Sequence, residues 1–266
     1  MSGPSAREAT TTPPTGQPDS RTHEGDAVPT VALDYPAANI RLLATTDAER
    51  EIRARACHKE PWTVRWIETE LGAGGVFYDV GANVGAYSLI AAMQPVAPVI
   101  FAFEPGFRTF SSLCDNVHLN GCAATITPVP LALAGQSGLR RFRFKALDAG
   151  QSRHRFAPSH DLRWKGLTQQ VPVTSMDDLA ALCALPPPTH LKLDVDGAEL
   201  EVLQGATATL GRPELRSLLV EIDEPLWEPV LTLLDGAGFE LREQHQRKPT
   251  APRYAILDRR GSAPRV

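Results

Sequence analysis

Four short segments of this 266-residue chain place acids or glycines where an apolar run ends. The first is Tyr78-Asp79-Val80-Gly81-Ala82-Asn83-Val84-Gly85, and the second is Phe101-Ala102-Phe103-Glu104-Pro105, with Glu104 25 positions after Asp79. The third runs from Leu191-Lys192-Leu193-Asp194 through Val195-Asp196-Gly197-Ala198-Glu199. The fourth is Val220-Glu221-Ile222-Asp223. A glycine turn between strand and helix brings backbone close to a ligand, and a carboxylate at the next strand tip can accept hydrogen bonds from two ribose hydroxyls. No Gly-Lys-Ser/Thr follows the first turn, so it is not a P-loop.

Asp79 stands where the diphosphate of a dinucleotide would lie, and two like charges there would repel. The residue suits a cofactor with an ammonium and a sulfonium, which is S-adenosylmethionine; the alternative is that Asp79 only caps the turn. Along the third segment, strand alternation turns Lys192, Asp194 and Asp196 one way and Leu191, Leu193 and Val195 the other. Charges on a buried strand need partners or an open edge. Asp194 is therefore the expected residue beside the reacting groups, with Lys192 compensating the carboxylates. Asp194, Asp196, Glu221 and Asp223 could hold a magnesium ion through oxygen ligands, or bind substrate hydroxyls and cap helices. No residue is assigned as a metal ligand. His154 and His160 are further candidates for a general base, whereas His190 reads as structural.

These tips require strands that end on one edge. The pattern predicts strands over 76–80, 98–103, 124–129, 190–195 and 218–222. Helices are predicted over 87–93, 107–119, from the Ser175 N-cap to about 185, over 198–210 and over 226–236. Strands alternating with helices imply a parallel sheet covered on both faces. Runs at 239–243 and 253–257 read as a final antiparallel hairpin. Segments 139–145 and 169–174 flank a polar loop over 147–165.

Residues 1–27 are rich in Thr, Pro, Ser and Gly and are expected to form a disordered tail. A single domain is expected over 28–258. It divides into an N-terminal helical cap at 28–75 and a Rossmann-like core at 76–258 with an insertion at 139–174; 259–266 is expected to be flexible. Basic residues are scattered at a net charge of −4, which gives no nucleic-acid footprint. Arg140, Arg141, Arg143, Lys145, Arg153 and Arg155 gather locally, as a hairpin edge or a face for an anion. Four cysteines without a CxxC pair, no secretory h-region and no membrane-length apolar run lead to an expectation of a cytoplasmic protein without membrane contact. The oligomeric state is not legible.

With these four motifs in this order, the chain resembles the FkbM family of S-adenosylmethionine-dependent methyltransferases from about Glu60-Pro61-Trp62 to Asp223. The resemblance implies a class I α/β fold with a seven-stranded, mostly parallel sheet. It also implies methyl transfer to a hydroxyl of a small molecule such as a sugar or natural-product intermediate. By position, Asp79, Gly81, Asn83 and Gly85 would surround the methionine end of the cofactor and Glu104 would bind the ribose. Asp194 would stand at the transfer site, and Glu199 would begin the helix behind it. Gly150-Gln151-Ser152 occupies the place of a family Gly/Ser pair near the cofactor, which makes Ser152 a cofactor-binding candidate and leaves His154 beside Asp194 as a catalytic one. Where the family often reads Ala-Leu-Gly-Asp, this chain has Leu131-Ala132-Leu133-Ala134-Gly135, and Asp196 replaces a glutamate. N- or C-methylation on the same fold, an NAD(P)-dependent oxidoreductase and a silent binding module are the alternatives. The missing third turn glycine and the presence of Asp79 oppose the oxidoreductase. Trp62, Trp66 and Trp164 could stack on an acceptor ring or serve the core.

Overall fold

The computed structural model describes residues 28–144, 155–156 and 166–261. The expected tail at 1–27 lies outside the described residues, as do Ser152, His154, His160 and Trp164. The chain opens with a short hairpin, β1 (Thr30–Ala32) and β2 (Arg41–Leu43), followed by α1 (Ala56–Lys59) and α2 (Pro61–Glu70). The core then runs β3 (Val76–Val80), α3 (Ala86–Ala92), β4 (Val99–Phe103), α4 (Phe107–Leu119) and β5 (Ile126–Val129). Next come β6 (Ala132–Leu133), β7 (Gly138–Arg143), β8 (Arg155–Phe156), β9 (Thr168–Thr174) and α5 (Met176–Cys183). The chain finishes with β10 (His190–Leu193), α6 (Glu199–Gln204), α7 (Thr207–Leu210), β11 (Ser217–Ile222), α8 (Trp227–Gly236), β12 (Phe239–Gln246) and β13 (Arg253–Arg259).

The main sheet has seven strands in the order β12-β13-β11-β10-β3-β4-β5. Strands β11, β10, β3, β4 and β5 are parallel, while β13 pairs antiparallel with both β11 and β12. This is the expected Rossmann-like sheet with its C-terminal hairpin. Alternation along β3 sends Phe77 to one face, where Trp66, Ile67, Leu89, Ile90 and Leu113 of α2, α3 and α4 cover it. Tyr78 and Val80 go to the other face, against Leu179, Val202, Leu203, Val230 and Leu234 of α5, α6 and α8. Apolar burial on both faces at roughly 25 cal/mol per Å² is the main stabilising contribution. A second sheet, ordered β6-β9-β7-β8, combines β6 with three strands that fall almost wholly within 139–174.

Four features differ from the sequence reading. The N-terminal segment is not wholly helical, because Thr30–Ala32 and Arg41–Leu43 pair as a hairpin. Asn116 and Asn120 of α4 pin that hairpin by accepting from the N–H groups of Leu43 (2.7 Å) and Arg41 (2.9 Å). The expected helix over 198–210 is broken at Gly205, where a Cβ would lie 2.3 Å from the Ala134 carbonyl oxygen; the chain bends to let β6 approach. Strand β10 stops at Leu193 rather than 195, since Asp196 (φ 55°) and Gly197 (φ 103°) turn the chain out of the sheet. Arg259 is no part of a loose tail. It ends β13 and donates to the Leu215 (2.7 Å) and Leu210 (2.6 Å) carbonyls.

Candidate active site

A cavity of about 500 Å³ lies at the carboxyl ends of β3, β4 and β10, within the range of small-molecule sites. Its walls include Glu104 with apolar Pro105, Leu131, Leu133 and Phe142, and the charged Arg53, Lys59, Lys192, Asp194, Asp196, Glu221 and Arg247.

Glu104 follows β4 and is 6% exposed. Its two carboxyl oxygens each accept one backbone N–H, from Asn83 (3.1 Å) and Gly106 (2.8 Å), which fixes the group and leaves a lone pair on each oxygen. Burial pushes the carboxyl up to about 7 against these two hydrogen bonds. Asn83 is held left-handed (φ 52°), and its side chain accepts from the Val84 N–H at 3.0 Å. Gly81 also lines the cavity (φ 81°), and its N–H and that of Ala82 both donate to the Phe103 carbonyl. Gly85 (φ 88°) does not line the cavity; it lies against Leu113 of α4, so its place is in helix packing.

The charged end is built by strand register. Asp79 and Lys192 are paired residues of β3 and β10, both directed to the face that α3 covers. Lys192 Nζ lies 3.3 Å from Asp79 and 3.4 Å from Asp194. Asp79 is fully buried, accepts from Ser88 Oγ at 2.7 Å, and is absent from the cavity wall. Asp79, expected beside the cofactor, thus lies behind the cavity wall. Its alternation puts it under α3, and the ammonium of Lys192 compensates it. Burial works against that ammonium, but Asp79 and Asp194 outweigh it and hold Lys192 above its ordinary value. Burial likewise disfavours the Asp194 carboxylate, yet Lys192 and a hydrogen bond from Glu221 hold it below the usual carboxylate range. Glu221, by contrast, is pushed well up by burial and by the charge of Asp194.

The segment that carries Asp194 and Asp196 out of β10 is held by Glu199, which is 1% exposed. Its carboxyl accepts from the Gly197 N–H at 2.9 Å, and burial pushes it up to about 7. Glu104 and Glu199 thus favour the protonated form when folded. The native state binds more protons than the unfolded chain between their ordinary value of 4.5 and about 7, so these two groups lower the stability as pH rises through that window. Urea denaturation from pH 5 to 8 is expected to show a loss on the order of a few kcal/mol, and Glu104→Gln should flatten it. A stability that rises over this range in the wild type would contradict the assignment.

Several side chains here carry no sequence signal of their own. Tyr254 of β13 donates to Glu221 at 3.0 Å, and Tyr87 donates to buried Glu60 at 2.6 Å. Lys59 pairs with Glu60 at 2.6 Å, and Arg53 lines the wall beside it. Trp66 is core, 1% exposed, with its indole N–H on Ser217 at 3.2 Å; Trp62 stacks on His245 at 5.0 Å. His190 is buried at the start of β10 with Nδ1 3.0 Å from Ser217 Oγ. Asp194, Asp196, Glu221 and Asp223 do not assemble as a cation site: among the described residues no group of three or more His, Cys, Asp or Glu is placed to hold a metal ion. No helix among them is long and apolar enough to cross a membrane.

Glycine turn, ribose-type acid and Lys-Asp strand tip lie within a stretch that matches the model of the methyltransferase FkbM domain over residues 79–241, and the chain belongs to this methyltransferase family. It is 30% identical to the hexuronic acid methyltransferase AglP of Haloferax volcanii over 179 residues, covering 67% of this chain and 69% of that one. It is 29% identical over 197 residues to the 31-O-demethyl-FK506 methyltransferase FkbM of Streptomyces tacrolimicus, covering 64% and 74%. Among solved structures, the precorrin-6y C5,15-methyltransferase of Geobacter metallireducens GS-15 aligns over 74% of this chain and 84% of its own, with 15% identity and a TM-score of 0.44.

Proposed function

We propose that this chain is an S-adenosylmethionine-dependent O-methyltransferase acting on a hydroxyl of a small molecule, such as a sugar or natural-product intermediate. The observation that carries the reading is one cavity lined by both Glu104, fixed by two backbone N–H groups, and Asp194. Bound S-adenosylmethionine supplies an electrophilic methyl group on a sulfonium. Glu104 would hold its ribose hydroxyls through the free lone pairs, while Leu131, Leu133 and Phe142 give an apolar wall for its base. Gly81 and Asn83 shape the turn beneath it. Asp194 accepts the hydrogen bond of the acceptor hydroxyl, fixes its lone pair toward the methyl carbon, and receives the proton as the ether forms. Alignment of this kind is where much of the rate of an in-line displacement comes from. The names of the two relatives, one acting on a hexuronic acid and one on the FK506 skeleton, support a small oxygenated acceptor. The four carboxylates do not fit a magnesium site, so no step is derived through a metal.

Calorimetry tests the cofactor. S-adenosylmethionine and S-adenosylhomocysteine are expected to bind in the micromolar range, and Glu104→Ala to weaken both at least tenfold, about 1.4 kcal/mol. A folded wild type that binds neither would remove the assignment. Binding would justify a screen of hydroxylated acceptors with and without magnesium.

A further inference from the structure

Three non-glycine residues among those described hold a left-handed backbone: Asn83 (φ 52°), Ala184 (φ 48°) and Asp196 (φ 55°). Two of them, Asn83 and Asp196, line the cavity. Such a backbone is unfavourable for a residue with a Cβ, whereas glycine adopts it freely. Strain kept at a site points to a side chain that is needed there. Asn83 has two local tasks: its N–H donates to Glu104, and its side-chain oxygen accepts from the Val84 N–H. Asp196 lies in the segment Asp194-Val195-Asp196-Gly197 that leaves the tip of β10. Glu199 braces both flanks of Asp196, accepting from the Gly197 N–H at 2.9 Å and from the Val195 N–H at 3.4 Å. The segment also lies on the glycine turn after β3. A Cβ at Gly81 would meet the Asp194 carbonyl oxygen at 1.8 Å and Val195 Cγ1 at 3.6 Å. The two turns therefore make one continuous wall.

We propose that Asp196 is a cofactor-binding residue whose carboxylate takes the ammonium of the methionine part of S-adenosylmethionine. This deepens the methyltransferase reading and rests on it. The order of strands β10-β3-β4-β5 carries the assignment. Leu131 and Leu133, which follow β5, offer an apolar wall to the base, and Glu104 after β4 takes the ribose. The amino-acid part then falls to the tips of β3 and β10, where the glycine turn and the Asp194–Gly197 segment meet. That part carries an ammonium, and a carboxylate in a partly enclosed cavity is its natural partner. Asp79 cannot take this place, being fully buried behind the wall against Lys192. Asp194 has the same lysine ammonium at 3.4 Å. Strict alternation along β10 would carry Asp196 under α3 with Lys192. The left-handed turn at Asp196 and Gly197 takes the chain out of the sheet instead, and Asp196 reaches the cavity. Its charge adds to the upward push on Glu104, in keeping with two acids on one wall.

Calorimetry on the full chain with three nucleosides tests this. S-adenosylhomocysteine carries the ammonium, and its decarboxylated form keeps the ammonium without the carboxylate. Methylthioadenosine has the ribose and base but no amino-acid part. Asp196→Asn tolerates the same left-handed backbone and removes the charge, while Asp196→Gly adopts that backbone freely. Both variants are expected to weaken the two ammonium-bearing nucleosides roughly tenfold or more, and to hold methylthioadenosine within about twofold of wild type. Retained methylthioadenosine binding also shows that a variant is folded, and the second variant serves if the first is not. Unchanged affinity for S-adenosylhomocysteine in a folded variant overturns the proposal. So does an equal loss of all three nucleosides, which would assign Asp196 to the shape of the turn. Glu104→Ala, by contrast, should weaken all three, since each carries the ribose. A wild type that binds none of them removes the cofactor reading and this proposal with it, whereas binding that is sensitive to Glu104→Ala and indifferent to Asp196→Asn removes this proposal alone.

Discussion

Gly81→Ala is expected to cost more stability than any other single methyl addition in the turn regions, about 4 kcal/mol or more. A Cβ at position 81 would lie 1.8 Å from the backbone carbonyl oxygen of Asp194. No side-chain rotation relieves a contact with backbone, so β3 and β10 must separate at their tips. The left-handed φ of 81° adds its own cost of roughly 1–2 kcal/mol to any residue with a Cβ. Gly121→Ala isolates that second cost. Gly121 is also left-handed (φ 67°), but a Cβ there would meet nothing within 4 Å. Urea midpoints of the two variants should therefore differ by several kcal/mol, and equal midpoints would show that the tips are not in contact as described. The same separation moves Asp194 away from Lys192 and Glu221. Gly81→Ala protein that stays folded at low temperature should then have lost cofactor binding.

That contact also shows what the sequence could and could not reveal. Gly81 stood out because a glycine after an apolar run signals a turn, but its neighbour Asp194 lies far along the chain and enters only through the parallel register of β3 and β10. The alternating pattern was enough to place Lys192 and Asp194 on one face and to predict the order of strands and helices. The same rule carried from Phe77 puts Asp79 under α3, where Ser88 accounts for one of its oxygens. Tyr254 and Arg247 lay in an expected hairpin, yet nothing local marks them; their part depends on β13 turning antiparallel beside β11. Lys59 and Arg53 come from a segment without any motif, in α1 and just before it, and both line the cavity. Helix and strand identity follows local periodicity, whereas breaks such as Gly205 record close approaches between distant segments.

Lys192→Met should produce the second large effect, and its pH dependence identifies the cause. Lys192 is 1% exposed and sits between Asp79, fully buried, and Asp194. Methionine fills a similar volume, so the loss is one of charge: two buried carboxylates lose their cation. Breaking a buried pair in this way costs about 3–5 kcal/mol at neutral pH. In the wild type, the ammonium is held above its ordinary value of 10.5. Its contribution is complete below that value and is lost as pH rises through the higher, folded one. Asp194 is held below its ordinary 3.8, so its contribution is present above that value and is lost as pH falls through the lower, folded one. Across pH 5–9 both contributions are whole, and this pair leaves wild-type stability level. The variant behaves otherwise. Without the ammonium, burial raises the Asp194 carboxyl, and the folded state gains a proton that the unfolded chain does not hold. The deficit of Lys192→Met should then shrink as pH falls from 9 to 5. A second substitution, Asp79→Asn, removes one of the orphaned charges and should restore a measurable part of the stability at pH 8. If the deficit is the same at every pH, and the double variant is no more stable than the single, Lys192 contributes packing and not charge.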